Sequence, residues 1–190
     1  MRPSHDVVNR YLQRLGERLI PSGSAWLKWV TSQDWPASGW RILSVRDMSV
    51  NAFSIGDGRI YLTDGSFNFV NNEAELAAIL AHEIGHQLAG HFCAGRDQAF
   101  NERRQVGSLV QVIDINREIE ADTIALGLLH SAGFPPRAML EIVTRLPMTG
   151  DIRQHRLRLR KLTENLPPVE NPFIYSSSQE FLQIKNSLPY

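Results

Sequence analysis

The first chemical signal in the sequence is a pair of histidines with a glutamate beside them. Within Leu80–His86, His82 and His86 are four residues apart, and Glu83 directly follows the first. Positions four apart lie on one face of an α-helix, so both imidazoles can bind one metal ion. A catalytic zinc site takes three protein ligands and leaves an open position for water, whose proton Glu83 is placed to accept. The pattern therefore predicts a hydrolytic zinc site with Glu83 as the catalytic base.

The residues around these histidines favour a buried helix. The alternative is a surface helix with two solvated histidines. Ala74–Ala81, with the sequence AELAAILA, contains a single charged residue, and the small Gly85 lies between the histidines. A solvated helix would carry polar residues over most of its outer face. We therefore expect the two imidazoles to face a site inside the protein.

A third ligand is required, and the spacing argues against a third histidine. In the extended pattern HExxHxxGxxH, that histidine lies six residues after the second. Phe92 occupies this position here, and Ala89 occupies the glycine position. His91 lies five residues after His86, about 140° away around a continuing helix. We expect His91 to be a structural, hydrogen-bonding histidine.

A glutamate from a separate helix is the other solution. The run Glu118–Asp122 reads EIEAD, so Glu118 and Asp122 share one helix face, whereas Glu120 points roughly opposite. By itself such a run is typical of a charged solvent face. After the histidine motif in a chain of this size, it predicts Glu118 as the third zinc ligand. Asp122 then orients one of the ligand imidazoles.

The elements that must position these residues can be predicted from periodicity and caps, and they indicate an α+β, mainly helical protein. We predict one strand at Trp40–Val45 and a hairpin over Asn51–Thr63 with its turn at Gly56–Gly58. Predicted helices cover Asp6–Ile20, Glu73–His86 (capped by Asn71 or Asn72), Gln98–Ile113, Asn116–Ser131, Arg137–Leu146 and Asp151–Leu162. Pro21–Gly39 is predicted to be irregular, and no packing is predicted for Pro167–Tyr190.

Composition narrows the classes of function. The 190 residues are predicted to form one domain (1–190), and equal numbers of basic and acidic residues, 20 each, argue against nucleic acid as a partner. One cysteine rules out an internal disulfide. No apolar stretch approaches the roughly 20 residues of a membrane span. The first residues lack the apolar core of a signal peptide, so we expect a cytoplasmic protein or the mature or trimmed form of an exported one.

Several motifs together resemble the M48 family of zinc metallopeptidases. They are Val50–Phe53, the Gly-Asp-Gly turn with Ile60-Tyr61, Asn72–Ala78, HEIGHQLAGH at His82–His91, and Glu118–Asp122, within a resemblance that spans roughly 6–162. The resemblance implies a zincin fold of the gluzincin type, with a small β-sheet beside the HExxH helix and the Glu-bearing helix. It also implies one Zn²⁺ per chain on His82, His86 and Glu118, with Glu83 as base and Asp122 behind the ligands.

The predicted hairpin bears on the substrate. An exposed edge strand beside the zinc helix can accept an extended peptide by strand addition, which is tolerant of sequence. Asn51 and Ala52 are therefore predicted to bind polypeptide substrates. The resemblance suggests a protease that clips unfolded or misassembled proteins.

One departure from the family pattern lies near the start of the last predicted helix. Where many members have a Thr-His-Pro run before an Arg-Ile or Arg-Leu pair, this chain has Gly150 in place of the histidine. The aligned arginine is Arg156, which we predict to contact substrate or an oxyanion. The alternative places Arg156 on a basic helix face with Arg153 and Arg160.

The lack of membrane helices makes the chain similar to the soluble periplasmic branch of the family, the BepA and LoiP types. This similarity implies a periplasmic protein whose partners include membrane-associated or outer-membrane assembly proteins. Other functions stay open: a non-catalytic or latent zinc-binding module that acts through protein partners, or a binding module built on the basic segment 152–162. Structural zinc sites usually have four ligands, mostly Cys, which argues against the first.

Overall fold

The computed structural model describes residues 5–20, 39–91, 114–146, 151–168 and 175–188. In these ranges the chain forms α1 (His5–Leu19), β1 (Arg41–Val45), β2 (Ala52–Ser54), β3 (Arg59–Thr63), α2 (Asp64–Phe69), α3 (Glu73–Leu88), α4 (Ile115–Ser131), α5 (Arg137–Arg145), α6 (Ile152–Asn165) and α7 (Gln179–Ser187). The mainly helical α+β prediction is confirmed. The predicted helix Gln98–Ile113 and residues 21–38 of the predicted irregular segment lie outside the described residues.

Side-chain caps fix where the two site-bearing helices begin. The side chain of Asn72 accepts a hydrogen bond from the backbone N–H of Glu75 at 3.0 Å, and α3 starts at the next residue after this cap. Asp114 caps α4 in the same way through the backbone N–H of Asn116, also at 3.0 Å. These bonds satisfy backbone donors that the first turn of a helix leaves unpaired. Both helices therefore start as predicted, to within a residue.

The three strands form one sheet in the order β1-β3-β2. β1 runs parallel to β3, and β2 runs antiparallel to β3 with Phe53 opposite Tyr61. The predicted hairpin is confirmed, and its turn needs left-handed backbone at Gly56 (φ 86°), Asp57 (φ 49°) and Gly58 (φ 73°). In the part of the sheet that the structure describes, β2 pairs with β3 alone and forms an edge.

Helix α3 runs through the centre of the protein. It is buried along most of its length and packs against α4, α5, α1 and strand β2. Its closest approach to α4 is at Gly85, where an added Cβ would lie 2.7 Å from the carbonyl oxygen of Ala121. That distance is shorter than Cβ contacts allow, so only glycine permits this backbone approach.

The C-terminal residues, whose packing the sequence does not predict, attach to the ends of α2 and α3. The Glu73 carboxylate accepts hydrogen bonds from the hydroxyls of Tyr11 (2.9 Å), Tyr175 (2.8 Å) and Ser178 (2.7 Å). Lys185 of α7 donates to backbone carbonyls at the end of α2. The buried Glu73 therefore joins α1, α3 and the segment before α7. No described helix is long and apolar enough to cross a membrane.

We predict that Glu73→Gln destabilises the fold in a pH-dependent way. Burial opposes ionisation of Glu73, but hydrogen bonds from Ser178, Tyr175 and Tyr11 hold the pKa of its carboxyl below the usual value. A lowered folded-state pKa contributes stability above the unfolded pKa, and this stability is lost as the pH falls. Urea unfolding at pH 7 should show a loss of about 1.5–3 kcal/mol, which shrinks as the pH falls below about 4. Glu141→Gln, on the exposed side of α5, is the control. If the loss of unfolding free energy were the same at pH 7 and below about pH 4, the role of the ionised carboxylate would be contradicted.

Candidate active site

Three ligand atoms from α3 and α4 converge on one point. His82 and His86 lie one turn apart on α3, and their Nε2 atoms are 3.0 Å apart. Glu118 of α4 brings one carboxylate oxygen to 3.1 Å from His86 Nε2 and the other to 3.3 Å from His82 Nε2. The structure therefore brings together the three side chains that the sequence predicts as metal ligands.

The spacing of these atoms fits a tetrahedral metal ion. Zinc bonds of about 2.0–2.1 Å at tetrahedral angles place ligand atoms about 3.3 Å apart. The distances of 3.0, 3.1 and 3.3 Å among these three side chains are close to that value. Two imidazoles and one carboxylate are also a donor set that catalytic zinc sites use. His82, His86 and Glu118 would hold the ion.

Asp122 lies directly behind His82. Its carboxylate is buried, and Oδ1 is 2.9 Å from His82 Nδ1. An imidazole that donates Nδ1–H to a carboxylate keeps Nε2 free as a metal ligand. This geometry agrees with the orienting role that the sequence suggests for Asp122.

Arg158 is a site residue that the sequence reasoning missed. Its guanidinium donates to both carboxylate oxygens of Asp122 at 2.6 and 2.8 Å, and it lies 3.0 Å from Glu118. The sequence-based choice was Arg156, which is exposed in the structure. Residues two apart lie on nearly opposite faces of a helix. The buried Leu162 marks the inner face of α6, and a residue four before it, Arg158, shares that face.

His86 has its own partner, His91. Helix α3 ends at Leu88, and the chain turns back with Gly90 at φ 69°. His91 Nδ1 thereby lies 2.7 Å from His86 Nδ1, and His91 Nε2 lies 3.2 Å from a carboxylate oxygen of Glu120. Glu120 is exposed, on the face opposite the buried Glu118 and Asp122, as predicted. Its carboxylate nevertheless contacts His91.

Burial and neighbouring charges set the proton affinities in the site. Burial, with the nearby Glu118, raises the pKa of Glu83 to about 7. Burial opposes a charge on His82, but Glu118 and Asp122 raise the pKa of His82 to about 10. Burial and the charge of His82 lower the pKa of His86 to about 4. Without a metal ion, His82 therefore carries an additional proton at neutral pH, and a metal ion must displace this proton when it binds.

Strand β2 lies next to Glu83. Across the hairpin, the backbone N–H of Thr63 donates to the carbonyl of Asn51, and the backbone N–H of Ile55 donates to the carbonyl of Arg59. The main-chain groups of the odd-numbered residues of β2 therefore point towards β3. The main chain of Ala52 and Ser54 therefore faces the open edge, and Ser54 offers a backbone hydrogen bond to Glu83. Asn51 is buried, with its N–H and C=O engaged by Thr63.

A buried glutamine joins the hairpin to helix α3. Gln87 Oε1 accepts from the backbone N–H of Gly58 at 2.7 Å, and its Nε2 donates to Arg59 O at 3.2 Å and to the Ser54 hydroxyl. Gln87 thereby holds β2 beside His86. The sequence reasoning missed this contact, since its only signal is a polar residue on a buried helix. Gly150 lies outside the described residues.

This geometry defines the HExxH-plus-glutamate class of metal site, and comparison with known proteins agrees. The profile of peptidase family M48 matches residues 7–96. Mitochondrial metalloendopeptidase OMA1 of Arabidopsis thaliana is 30% identical over 128 residues, 58% of this chain and 26% of the relative. A putative beta-barrel assembly-enhancing protease of Vibrio cholerae is 27% identical over 169 residues, 74% of this chain and 33% of the relative.

OMA1 of Schizosaccharomyces pombe is 27% identical over 205 aligned positions, which cover 90% of this chain and 56% of the relative. Residues 7–96 therefore match a peptidase family M48 domain. The chain spans from about a quarter to just over half of the length of these curated relatives.

We predict that the purified protein carries about one zinc per chain and that Glu118→Gln loses it. The amide keeps the shape of Glu118 but is a much weaker zinc ligand than a carboxylate. Elemental analysis after dialysis measures the stoichiometry, and circular dichroism checks the fold. Glu141→Gln, which changes an exposed glutamate on α5, should keep the full zinc content. Stoichiometric, tightly bound zinc in a folded Glu118→Gln variant would exclude Glu118 as a ligand.

Proposed function

We propose that this protein is a zinc-dependent metalloendopeptidase in which His82, His86 and Glu118 hold the ion and Glu83 is the general base. The observation that carries the proposal is the convergence of His82, His86 and Glu118, whose ligand atoms all lie within 4.8 Å of one another. Glu83 lies on the same helix as the two histidines. The match of residues 7–96 to peptidase family M48, and relatives named metalloendopeptidase and protease, support the same class of reaction.

When bound, zinc would polarise a substrate carbonyl and lower the pKa of a water to about 7. The chain's own contribution begins with Glu83, a buried carboxyl group next to ligand His82 that can accept and return a proton. Its carboxylate would take the proton of the attacking water and pass it to the leaving amine. Burial of Glu83 also removes bulk water that would compete for this proton.

Arg158 and Asp122 support this chemistry from behind the ligands. Asp122 fixes the tautomer of His82, and Arg158 bridges Asp122 and Glu118, so the carboxylates keep one orientation. The positive charge of Arg158 also balances part of the buried negative charge. We assign Arg158 this positioning role, and no contact with substrate is proposed for the exposed Arg156.

The edge strand β2 is the proposed substrate-binding element. Ala52 directs its main-chain N–H and C=O to the open edge, beside Ser54 and Glu83. An extended peptide paired with this edge would place a carbonyl near the ligands through main-chain hydrogen bonds, with little demand on its sequence. This mode suits unfolded or misassembled polypeptides. Asn51 would contribute by holding the start of β2, since its backbone is engaged within the hairpin.

We further propose a role in protein quality control, with a periplasmic location as the family resemblance implies. Relatives named beta-barrel assembly-enhancing protease support this role and suggest outer-membrane assembly proteins as partners. Other relatives are named mitochondrial. Cell fractionation of the native protein decides between the periplasm and the cytoplasm.

Glu83→Gln should abolish casein degradation while zinc content and fold are unchanged. Glutamine has nearly the same shape but cannot accept a proton, and general-base assistance is worth about 10²–10⁴-fold. Wild type and variant are compared at saturating zinc, with circular dichroism as the fold control. Full activity in the variant would remove Glu83 from the role of base. If the zinc-loaded wild type degrades no unfolded protein at all, the non-catalytic module becomes the better description.

Ala52→Pro should raise KM for an unfolded substrate by about two- to tenfold, the value of one main-chain hydrogen bond. Proline removes the N–H that faces the open edge and leaves the hydrogen bonds to β3 intact, and edge strands tolerate proline at such positions. Zinc content and kcat should stay close to wild type. An unchanged KM in a folded variant would contradict strand addition at β2.

A further inference from the structure

We infer that His91 and Glu120 form a hydrogen-bonded relay that sets the tautomer of His86 and thereby strengthens its bond to zinc. The inference rests on the metal site of the proposed function and adds two positioning residues to it. Neither residue lies among the three side chains whose ligand atoms converge. Both act through His86.

The geometry fixes where each proton lies. His86 Nε2 faces His82 and Glu118, so as a neutral ligand His86 carries its proton on Nδ1. His91 Nδ1, at 2.7 Å, must accept that proton's hydrogen bond. A neutral His91 then carries its own proton on Nε2, which lies 3.2 Å from the Glu120 carboxylate oxygen. Each donor thus has one acceptor along the line His86–His91–Glu120.

Burial differs sharply along this line. The side chain of His91 is 8% exposed, whereas that of Glu120 is 59% exposed. The buried imidazole of His91 is the acceptor that the structure places at His86 Nδ1, so its loss removes this hydrogen bond. Glu120 is largely solvated, and its contribution is correspondingly small.

The two ligand histidines are therefore supported in different ways. His82 donates directly to Asp122, which is buried and paired with Arg158. His86 donates to the neutral imidazole of His91, and the largely exposed carboxylate of Glu120 lies beyond that imidazole. Residues behind a metal ligand typically contribute 10–100-fold to metal affinity. We expect His91 to contribute in this range and Glu120 only through His91.

Competition with a chromogenic zinc chelator tests the relay by measuring zinc affinity directly. His91→Phe, which keeps a ring but cannot accept a hydrogen bond, should weaken zinc binding about 10–100-fold. Glu120→Ala should weaken it about two- to fivefold. Glu141→Ala is the matched surface control and should change nothing. Thermal unfolding of each metal-free variant shows whether the fold is kept.

The double variants separate a relay from a structural effect. Glu120→Ala should cause no further loss in the His91→Phe background, because its route to His86 is gone. His91→Asn retains an acceptor for His86 but is too short to reach Glu120. It should restore most of the affinity and should not respond to Glu120→Ala.

Two results would overturn the inference while the proposed function stands. One is unchanged zinc affinity in folded His91→Phe, and the other is an equal effect of Glu120→Ala with and without His91. A wild-type protein that binds no zinc would instead overturn the proposed function, and the relay with it.

Discussion

The close approach of α3 and α4 at Gly85 is the constraint on which the site depends. A Cβ at Gly85 would lie 2.7 Å from the carbonyl oxygen of Ala121. This close approach brings the Glu118 carboxylate within reach of the imidazoles of His82 and His86. A larger residue would push α4 outward and lengthen both contacts to Glu118. The geometry of the candidate metal site therefore depends on Gly85 as well as on the ligands.

The site concentrates charged groups in a buried space, which is unfavourable unless each group is compensated. Arg158 pairs with Asp122 and Glu118, Asp122 pairs with His82, and the hydrogen bond from Ser54 reaches Glu83. In the absence of metal, a proton on His82 supplies the remaining positive charge. This arrangement favours a cation at the ligands, since a divalent ion replaces that proton and is attracted by Glu118.

A second interaction network places the sheet beside helix α3. Gln87, adjacent to ligand His86, binds the hairpin turn through Gly58 and Arg59. The edge strand and the metal ligands are thus held by neighbouring residues of one helix. The buried side-chain amide of Gln87, and not a loop, would therefore set the distance between a peptide bound on β2 and the ion.

The sequence predicts the helices and the hairpin well because their signals are local. Caps such as Asn72, the Gly56–Gly58 turn and the four-residue spacing of the histidines act within one or two turns of chain. The contribution of Glu118 is also predictable, because its spacing to Asp122 fits a helix face. The features that the sequence does not predict depend on how elements that are distant in the chain pack against one another.

Arg158 illustrates this limit. Its role follows from the rotation of α6 against α4, and an alignment by motif alone favours Arg156. The sequence predicts His91 to be a hydrogen-bonding histidine but not its contact with His86. A continuing helix would separate the two residues, whereas the turn at Gly90 folds His91 back. The packing of residues 175–188 on Glu73 has no local signal at all.

The most direct test of the central claim is the position of the metal ion. Crystals of the zinc-loaded protein, measured on both sides of the zinc absorption edge, locate the ion by its anomalous difference density. This set of ligands predicts one strong peak about 2.0–2.2 Å from His82 Nε2, His86 Nε2 and a Glu118 carboxylate oxygen. A peak bound by His91 or Glu120 in place of Glu118, or no peak between the two helices, would contradict it.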